Sequence, residues 1–167
     1  MEKEFVIATN CFIPAEGGVW LGMKKRGFGV MRWNGFGGKQ KEGETLEETA
    51  IREVWEETGG KEGKDGIKVK KLEKQGIIEF DFMEEPLIVE MHAYLALGWE
   101  GKAVETGEMR PQLFNLSAIP YRQMWAVDSY WLPLLLKRRK FIGNAVFGSA
   151  KKNNVLYWHL REVKKIS

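Results

Sequence analysis

The segment 35–59 restricts what this chain can fold into more than any other part of its sequence. It opens with three glycines in four residues, a density typical of backbone that turns tightly or passes close to a ligand. Residues 45–58 then carry a helix pattern that starts with a capping box, Thr45 and Glu48. Gly59 is a suitable helix stop. The apolar residues that recur every four positions, and so predict the core-facing side, are Leu46, Ala50 and Val54.

Strand patterns surround this helix and predict a mixed architecture. A buried strand at 5–13 and the returning arm of a hairpin at 19–21 are expected, because β-rich runs flank a pair of glycines. The later predicted elements are strands at 76–83, 87–97 and 154–163, a helix at 129–138 and a solvated loop at 61–71. This order of elements favours the α+β class or a mixed sheet sandwiched between helices, in one domain over residues 1–167.

Composition limits the function classes. The 167 residues are 44% hydrophobic and 29% charged, which is typical of a globular domain. The net charge of +3 is too small to predict a nucleic-acid polymer as partner. No apolar stretch approaches the ~20 residues of a membrane helix. Cys11 is the single cysteine and no signal-peptide pattern opens the chain, so we expect a cytoplasmic protein, with a monomer as the default.

The helix at 45–58 carries the first chemical signature. Glu53, Glu56 and Glu57 are three and four residues apart, so their carboxylates project from one face. Like charges at this spacing destabilise a bare helix, whereas a hard divalent cation such as Mg²⁺ would stabilise them through oxygen ligation. The acidic face borders the apolar stripe, so the carboxylates would lie beside the core. The alternative is a solvated acidic face paired with Arg52 and nearby lysines.

The order of residues around these glutamates resembles the Nudix box. The pattern G-x5-E-x7-R-E-U-x-E-E-x-G, in which U is aliphatic, is met in full. The matching residues are Gly38, Glu44, Arg52, Glu53, Val54, Glu56, Glu57 and Gly59. The chain departs from the family's pattern at Gly60, where an aliphatic residue is usual. We expect this change to loosen the packing after the helix and to affect no catalytic group.

The resemblance to Nudix proteins implies a mixed β-sheet between α-helices (α/β/α) and hydrolysis of a nucleoside diphosphate linked to another moiety. It also implies that Mg²⁺ or Mn²⁺ is bound by the box glutamates and by a backbone carbonyl near Gly37. Arg52 would then orient the glutamates, and Glu44 would brace the loop. Cleavage of a phosphoanhydride needs charge neutralisation on the phosphates and a water held in line, which carboxylates and metal ions supply.

Segments outside the box resemble one branch of the family, the mammalian mutT-type enzymes that hydrolyse oxidised purine nucleoside triphosphates. These segments are 21–29, 32–39, 107–111, 124–125 and 128–131. The resemblance covers nearly the whole chain, apart from an apparent insertion around 61–70. It implies conversion of 8-oxo-dGTP, 2-hydroxy-dATP and methylated purine triphosphates to the monophosphate and pyrophosphate, which keeps miscoding nucleotides out of DNA.

The same resemblance implies a set of substrate residues. Glu108 would add a metal-binding or water-positioning carboxylate, and Lys24 and Lys39 would lie near the phosphates and sugar. Asn34 would offer its amide to the base edge, and Thr9 would lie at the pocket floor. The walls would be Phe28, Phe80, Phe82, Trp131 and Trp125, the last stacked on the purine. Further contacts would come from Phe36, Gly37, Gly38, Ala126 and Val127. For the aromatic residues other than Trp125, core packing is the alternative.

Asp128 is the residue expected to read the base. A buried carboxyl group accepts a hydrogen bond when ionised and donates one when protonated, and apolar walls raise its pKa toward the protonated form. Its alternative role is that of a helix N-cap. The relatives carry two adjacent aspartates after a Trp-Pro pair, whereas this chain has Trp125-Ala126-Val127-Asp128. We therefore expect Val127 to weaken turnover of oxidised adenine more than that of 8-oxoguanine.

Two other functions fit parts of the pattern. A Nudix hydrolase of another specificity would act on ADP-ribose, a dinucleotide or an mRNA cap, and Val127 leaves that alternative open. A non-catalytic Nudix module would bind a nucleotide or a protein, but such a module would be expected to lack box glutamates that this chain retains. Release of pyrophosphate in the presence of Mg²⁺ would distinguish an enzyme from a binding module.

Overall fold

The computed structural model describes residues 2–166, so the ends of the predicted domain, Met1 and Ser167, lie outside the described residues. Within this range the chain forms eight strands and two α-helices. The strands are β1 (Glu4–Ala15), β2 (Gly18–Lys24), β3 (Trp33–Asn34), β4 (Lys68–Phe82), β5 (Leu87–Glu100), β6 (Met109–Asn115), β7 (Phe141–Phe147) and β8 (Val155–Glu162). The helices are α1 (Leu46–Glu57) and α2 (Asp128–Leu136), and short 3-10 turns lie at Gly60–Glu62, Leu116–Ala118 and Tyr121–Gln123.

The strands form one mixed sheet in the order β3-β2-β1-β5-β4-β7-β8, and β6 joins it by pairing with β2. β1 runs parallel to β5 and β4 runs parallel to β7, whereas the other neighbours are antiparallel. The β1–β2 hairpin turns at Gly17, whose positive φ of 72° is a conformation that glycine adopts without strain. The sheet therefore places β1, β5 and β4 side by side although they are distant in the chain.

The two helices cover opposite faces of this sheet. α1 packs on β1 and β4, and α2 packs on β5 and β7. Cys11 of β1 lies in the core formed with Ala50 and Val54 of α1. The next residue, Phe12, lies in the core formed with Trp131 of α2. Successive side chains of a strand point to opposite faces, so the sheet separates two hydrophobic cores. The predicted α+β class, with a mixed sheet between helices, is confirmed.

Local sequence explains where α1 begins and ends. The Thr45 hydroxyl accepts a hydrogen bond from the backbone N–H of Glu48 at 3.1 Å, as the capping-box pattern predicts. At the other end, the Thr58 hydroxyl donates to the Val54 carbonyl at 2.6 Å and accepts from the Ile67 N–H at 2.8 Å. The prediction of this helix is confirmed, with a threonine cap at each end.

The predicted strands and the second helix are also confirmed, with shifted ends. The sequence patterns do not predict β3, β6 or β7. β3 has two residues, β6 contains Pro111, and β7 contains Gly143 and Asn144, which are depleted in strands. No helix in the described part of the chain is long and apolar enough to cross a membrane.

The segment after α1 is more ordered than the solvated loop predicted at 61–71. β4 begins at Lys68, and the buried side chains of Ile67 and Val69 join the α1-side core, so the second half of that prediction is wrong. Gly60 lies against the indole of Trp55, where an added Cβ would come within 2.1 Å of the ring. This contact gives a physical reason for glycine at the position where the Nudix pattern usually has an aliphatic residue.

Candidate active site

A cavity of about 440 Å³ lies beside β1, β4 and β5, within the range of roughly 300–1,000 Å³ that is usual for small-molecule sites. Most of the predicted substrate residues line it, although they come from distant parts of the chain. They are Thr9, Lys24, Phe28, Asn34, Gly37, Gly38, Lys39, Phe80, Phe82, Trp125, Asp128 and Trp131, together with Glu57 of α1. The cavity therefore extends from the aromatic side of the sheet to the carboxylates of α1.

Aromatic rings form one wall of this cavity. Phe28 stacks on Trp125 with ring centroids 5.5 Å apart, and it meets Phe82 edge-to-face at 5.3 Å. The guanidinium carbon of Arg32 lies 4.7 Å from the centroid of the Trp125 ring. Arg32 also donates a hydrogen bond to the Ala150 carbonyl at 2.8 Å. Phe28 is 43% exposed whereas Trp125 is buried, so the aromatic wall runs from the core to the mouth of the cavity.

Asp128 places a buried carboxyl group in the cavity wall. Its Oδ1 accepts a hydrogen bond from the indole N–H of Trp131 at 3.1 Å. Its Oδ2 has no hydrogen-bond partner among residues 2–166. Burial raises the pKa of Asp128 to about 8, against smaller lowering effects of the Trp125 backbone, the Trp131 indole and the charge of Arg32. The side chain does not cap α2, whose N-cap residue is Val127, so the N-cap alternative does not describe it.

Asn34 presents a fixed amide in the wall of the same cavity. Its Oδ1 accepts hydrogen bonds from Asn10 Nδ2 at 2.8 Å and from the Gly35 N–H at 2.9 Å. The Thr9 backbone N–H donates to the Gly38 carbonyl at 2.9 Å, while the Thr9 hydroxyl has no partner among the described residues. These contacts fix the backbone of the glycine segment along β1 and leave side-chain polar atoms for a ligand.

Arg52 holds the carboxylates of the box together. It donates to Glu44 through Nε at 2.6 Å, and through Nη1 to Glu53 at 2.7 Å and to Glu56 at 3.3 Å. Glu44 also accepts from the Lys41 N–H and from the Thr49 hydroxyl. Its bonds to Arg52 lower the pKa of Glu44 to about 2. Arg52 and Glu44 therefore stay charged and connect α1 to the preceding loop.

Glu57 is the box glutamate that enters the cavity. Its Oε1 accepts a hydrogen bond from the Gly37 N–H at 2.8 Å. Burial is the main cause that raises the pKa of Glu57 to about 8, and the nearby carboxylates of Glu53 and Glu108 add to it. A Cβ at Gly37 would lie 1.8 Å from the Thr9 carbonyl oxygen. Glycine is thus required for the backbone to fit between β1 and α1.

Glu108 reaches the same region from the loop before β6. Its carboxylate pairs with Arg26 at 3.0 Å and is partly exposed. Two contacts hold the loop: the Gly107 N–H donates to Glu62 Oε2 at 2.7 Å, and Lys25 Nζ donates to the Thr106 carbonyl at 2.7 Å. The segment 60–66, which overlaps the first part of the apparent insertion around 61–70, therefore supports the loop that carries Glu108.

The donor chemistry of these carboxylates fits Mg²⁺ or Mn²⁺. All the candidate ligands offer oxygen, which hard divalent cations prefer. Burial is the main cause of the raised pKa of Glu57, and the nearby carboxylates of Glu53 and Glu108 add negative charge that a cation would offset. Within residues 2–166 no three His, Cys, Asp or Glu side chains converge as a ready-made metal site; instead Arg52 contacts both Glu53 and Glu56.

Three predicted contact residues do not line the cavity. Phe36 is fully buried in the α1-side core, because its backbone exchanges two hydrogen bonds with Cys11 of β1. Val127 is fully buried in the α2-side core, where it supports packing instead of facing the cavity. Ala126 is exposed, and its N–H donates to Asn153 at 3.0 Å. Of the residues 126–128, Asp128 is the one that reaches the cavity.

Four polar residues that line the cavity were not among the predicted site residues: Glu4, Asn10, Arg32 and Glu85. Arg32 belongs to the segment 32–39 that resembles the mutT-type enzymes, but no single feature of the residue marks its place over Trp125. Asn10 could have been found from the sequence, because it is a polar side chain in the middle of an otherwise apolar, buried strand.

Comparison with known proteins agrees with this arrangement. The family model described as NUDIX domain matches residues 4–135. The chain belongs to the Nudix family. It is 47% identical over 145 residues to the oxidized purine nucleoside triphosphate hydrolase of Mus musculus, a match that covers 87% of each chain. It is 44% identical over 137 residues to the protein of the same name from Danio rerio, which covers 82% of this chain and 83% of that one.

Among solved structures, the Mutator MutT protein from Bacillus halodurans superposes with a TM-score of 0.78 at 26% sequence identity. This match covers 93% of the present chain and 97% of the other. Nudix hydrolases generally use a divalent metal ion, in agreement with the oxygen donors of α1. The Nudix fold is thus supported by sequence and by structure over nearly the whole chain.

Proposed function

We propose that this Nudix protein hydrolyses oxidised purine nucleoside triphosphates, with 8-oxo-dGTP as its main substrate, to the monophosphate and pyrophosphate. The observation that carries the proposal is the Oδ2 atom of Asp128, a buried polar atom without a partner among the described residues. It lies in the wall of an aromatic cavity that also reaches Glu57 of the Nudix box. The activity named for the relatives from Mus musculus and Danio rerio supports the same substrate class.

The base end of the cavity offers both kinds of hydrogen-bonding group. Asn34 can donate through its amide, because its carbonyl oxygen already accepts two hydrogen bonds. Asp128, with a pKa of about 8, is mostly protonated at neutral pH and can donate through Oδ2 while Oδ1 accepts from Trp131. Trp125 and Phe28 supply flat apolar surface for a purine ring.

The phosphate end of the cavity combines positive and negative groups. Lys24 and Lys39 line it and would contact the phosphates. Mg²⁺ or Mn²⁺ would be held by Glu53, Glu56, Glu57 and Glu108 with a backbone carbonyl near Gly37. When bound, the cation would neutralise phosphate charge and lower the pKa of water. Arg52 would keep the carboxylates in place through its hydrogen bonds.

The reaction adds one water across the anhydride bond between the α- and β-phosphates. The water oxygen bonds to phosphorus, the bridging P–O bond breaks, and nucleoside monophosphate and pyrophosphate separate while a proton is released. Catalysis of this step depends on positioning and on electrostatic stabilisation. The carboxylates of α1 lie beside the cavity that would hold the nucleoside, so one ligand can extend from the base end to the acidic helix.

Substrate preference follows from the single carboxylate at the base end. Val127 lies where the resemblance to the mutT-type enzymes implies a second aspartate, and it packs into the core. We therefore expect 8-oxo-dGTP to be favoured over 2-hydroxy-dATP. Residues 1–167 would act as a single domain and as a monomer in the cytoplasm, with a small-molecule nucleotide as partner and no nucleic-acid polymer or membrane.

The test is steady-state release of pyrophosphate with Mg²⁺ on 8-oxo-dGTP, 2-hydroxy-dATP, N6-methyl-dATP, O6-methyl-dGTP and dGTP in parallel. The expected result is fastest turnover of 8-oxo-dGTP. Turnover of ADP-ribose, dinucleotides or a capped RNA in place of the triphosphates would assign another Nudix specificity. Tight binding of the nucleotides without hydrolysis would identify a binding module.

A further inference from the structure

Asn10 is a buried polar residue in the cavity wall whose role the proposed function leaves open. It lies on β1 and is 5% exposed. Its Nδ2 donates to Asn34 Oδ1 at 2.8 Å and approaches the sulfur of Met91 at 3.4 Å. Its Oδ1 has no hydrogen-bond partner among residues 2–166 and lies against Gly35, where an added Cβ would come within 2.4 Å of it. A buried amide oxygen without a hydrogen bond lowers the stability of the fold, so packing alone does not explain an asparagine at this position.

The amide of Asn34 could in principle face the cavity with either end, because its oxygen and nitrogen are similar in shape. Two donors decide the orientation. The Gly35 N–H points at Asn34 Oδ1 at 2.9 Å, and Asn10 Nδ2 points at the same oxygen at 2.8 Å. Turning the Asn34 amide over would place its NH₂ group against both donors. Asn34 therefore keeps its oxygen toward the protein and its NH₂ group for the cavity.

We propose that Asn10 is a positioning residue that determines specificity by keeping Asn34 as a hydrogen-bond donor to the substrate. A donor at this place favours a purine edge that presents an acceptor. The edges of guanine and adenine carry inverted patterns of donors and acceptors. Guanine has an acceptor oxygen at position 6 and a donor N1–H, whereas adenine has a donor amino group at position 6 and an acceptor N1. Asn10 would thus favour guanine-type over adenine-type oxidised nucleotides. The inference rests on the proposed function, since it assumes that the cavity binds a purine.

Two substitutions separate this role from packing. Asn10→Leu is close in size and removes the donor to Asn34. Asn10→Asp is nearly identical in shape and, once its carboxyl group is ionised at alkaline pH, offers only acceptors to Asn34, so it then favours the turned-over amide with the Asn34 oxygen toward the substrate. Asn144→Leu is the matched control: it replaces an asparagine in β7 that pairs with Glu79 on the opposite side of the sheet from the cavity.

The first readout is the ratio of kcat/KM for 8-oxo-dGTP to that for 8-oxo-dATP. Relative to the wild type at the same pH, we expect the ratio to fall about threefold in Asn10→Leu and to stay within twofold in Asn144→Leu. In Asn10→Asp we expect it to fall at least tenfold as the pH is raised and the new carboxyl group ionises. Loss of folding alone would lower both rates together and leave the ratio unchanged. An unchanged ratio in folded Asn10→Leu protein overturns the inference.

The second readout needs no turnover and no metal ion. Calorimetry in the presence of EDTA gives the Kd values of the products 8-oxo-dGMP and 8-oxo-dAMP, and their ratio should shift in the same direction in both Asn10 variants. If the wild type binds both products but hydrolyses neither triphosphate, the proposed function fails while the role of Asn10 is still measured. Equal Kd ratios in the wild type and both Asn10 variants contradict the role of Asn10.

Discussion

The carboxylate face of α1 and the base end of the cavity satisfy their polar atoms in opposite ways. On α1, Arg52 donates hydrogen bonds to three glutamates, so negative charge is paired within the protein. At the base end, the Asp128 Oδ2 and the Thr9 hydroxyl have no partner among the described residues. The acidic face is therefore stabilised by ion pairs within the protein, whereas the cavity has buried polar atoms that are available to hydrogen-bond a ligand. The two ends should respond differently to substitution.

Glu57→Gln should have the largest effect, because it replaces the carboxyl group of the one box glutamate that lies in the cavity with an amide, which is a weaker ligand for Mg²⁺. We expect kcat on 8-oxo-dGTP to fall by about 10²–10³-fold. The Kd of 8-oxo-dGMP in EDTA should stay within threefold of the wild-type value, since the base end is untouched. Glu100→Gln, at an exposed pair with Lys70, is the control. A variant that loses product binding to the same degree would contradict the separation of the two ends.

Asp128→Leu should weaken binding of the product and leave the Mg²⁺ requirement nearly unchanged, which is the reverse of the pattern expected for Glu57→Gln. It removes both oxygens of the carboxyl group and leaves the Trp131 N–H without its acceptor. We expect about a 100-fold rise in the Kd of 8-oxo-dGMP, because the hydrogen bond from Oδ2 to the base is lost and its partner on the buried base is left unsatisfied. The Mg²⁺ concentration for half-maximal rate should change less than twofold, as measured by titration at saturating substrate. A large shift in the Mg²⁺ requirement would show that the ends are coupled.

Arg52→Gln should weaken the acidic face without touching the cavity. The variant loses the hydrogen bonds that connect Glu44 to Glu53 and Glu56, and supporting contacts of this kind are typically worth 10–100-fold in metal affinity or activity. We expect a fall of about 30-fold in kcat/KM and a higher Mg²⁺ requirement. Arg52→Lys should not restore the wild-type rate, because a lysine cannot contact Glu44 and Glu53 in the same way.

A pH-dependence of stability should arise at the base end. The pKa of Asp128 is about 8 in the folded protein, against about 3.9 in an unfolded chain. Between these values the native state holds a proton that the unfolded state lacks, so the free energy of unfolding falls as pH rises. Asp128→Asn removes this contribution. Its stability relative to the wild type should increase by on the order of 1 kcal/mol per pH unit between pH 5 and pH 7 in urea titrations.

Glu62→Ala should have the smallest effect of the set. It removes the acceptor of the Gly107 N–H, next to Glu108. We expect a fall of about threefold in kcat, since one hydrogen bond at a partly exposed site contributes little. Glu62→Gln keeps an acceptor and should retain the wild-type kcat. The control Glu100→Ala should leave kcat unchanged. If kcat falls equally in Glu62→Gln and Glu62→Ala, the effect comes from the negative charge of Glu62 and not from its hydrogen bond to the Gly107 N–H.

The contrast between the two ends also explains what the sequence could predict. The acidic face lies on one helix, so the spacing of its glutamates and its capping threonine predict its geometry directly. The cavity is assembled from β1, β4, β5 and the segment before α2, and its contacts depend on register. Phe36 and Val127 lie outside the strands and enter the cores through contacts with distant parts of the chain, which a local pattern does not predict. Asn10, by contrast, is a polar residue in a buried strand and could have been found from the sequence.

The strands that were not predicted have a similar explanation. β6 is held by its antiparallel pairing with β2, and β7 by its parallel pairing with β4. Neither segment has a strong strand pattern of its own, because Pro111 and Gly143 interrupt them. Partners that are distant in the chain determine these strands, and a local pattern carries no information about such partners.

The length of β4 has a consequence for how the molecule unfolds. The strand contributes Val69 to the core under α1, and Ile78, Phe80 and Phe82 to the core under α2. β5, its neighbour, likewise contributes Tyr94 to one core and Leu95 to the other. Neither core can open without disturbing these two strands. We therefore expect a single cooperative transition, with the backbone amides of β4 and β5 exchanging their hydrogens for deuterium only through global opening.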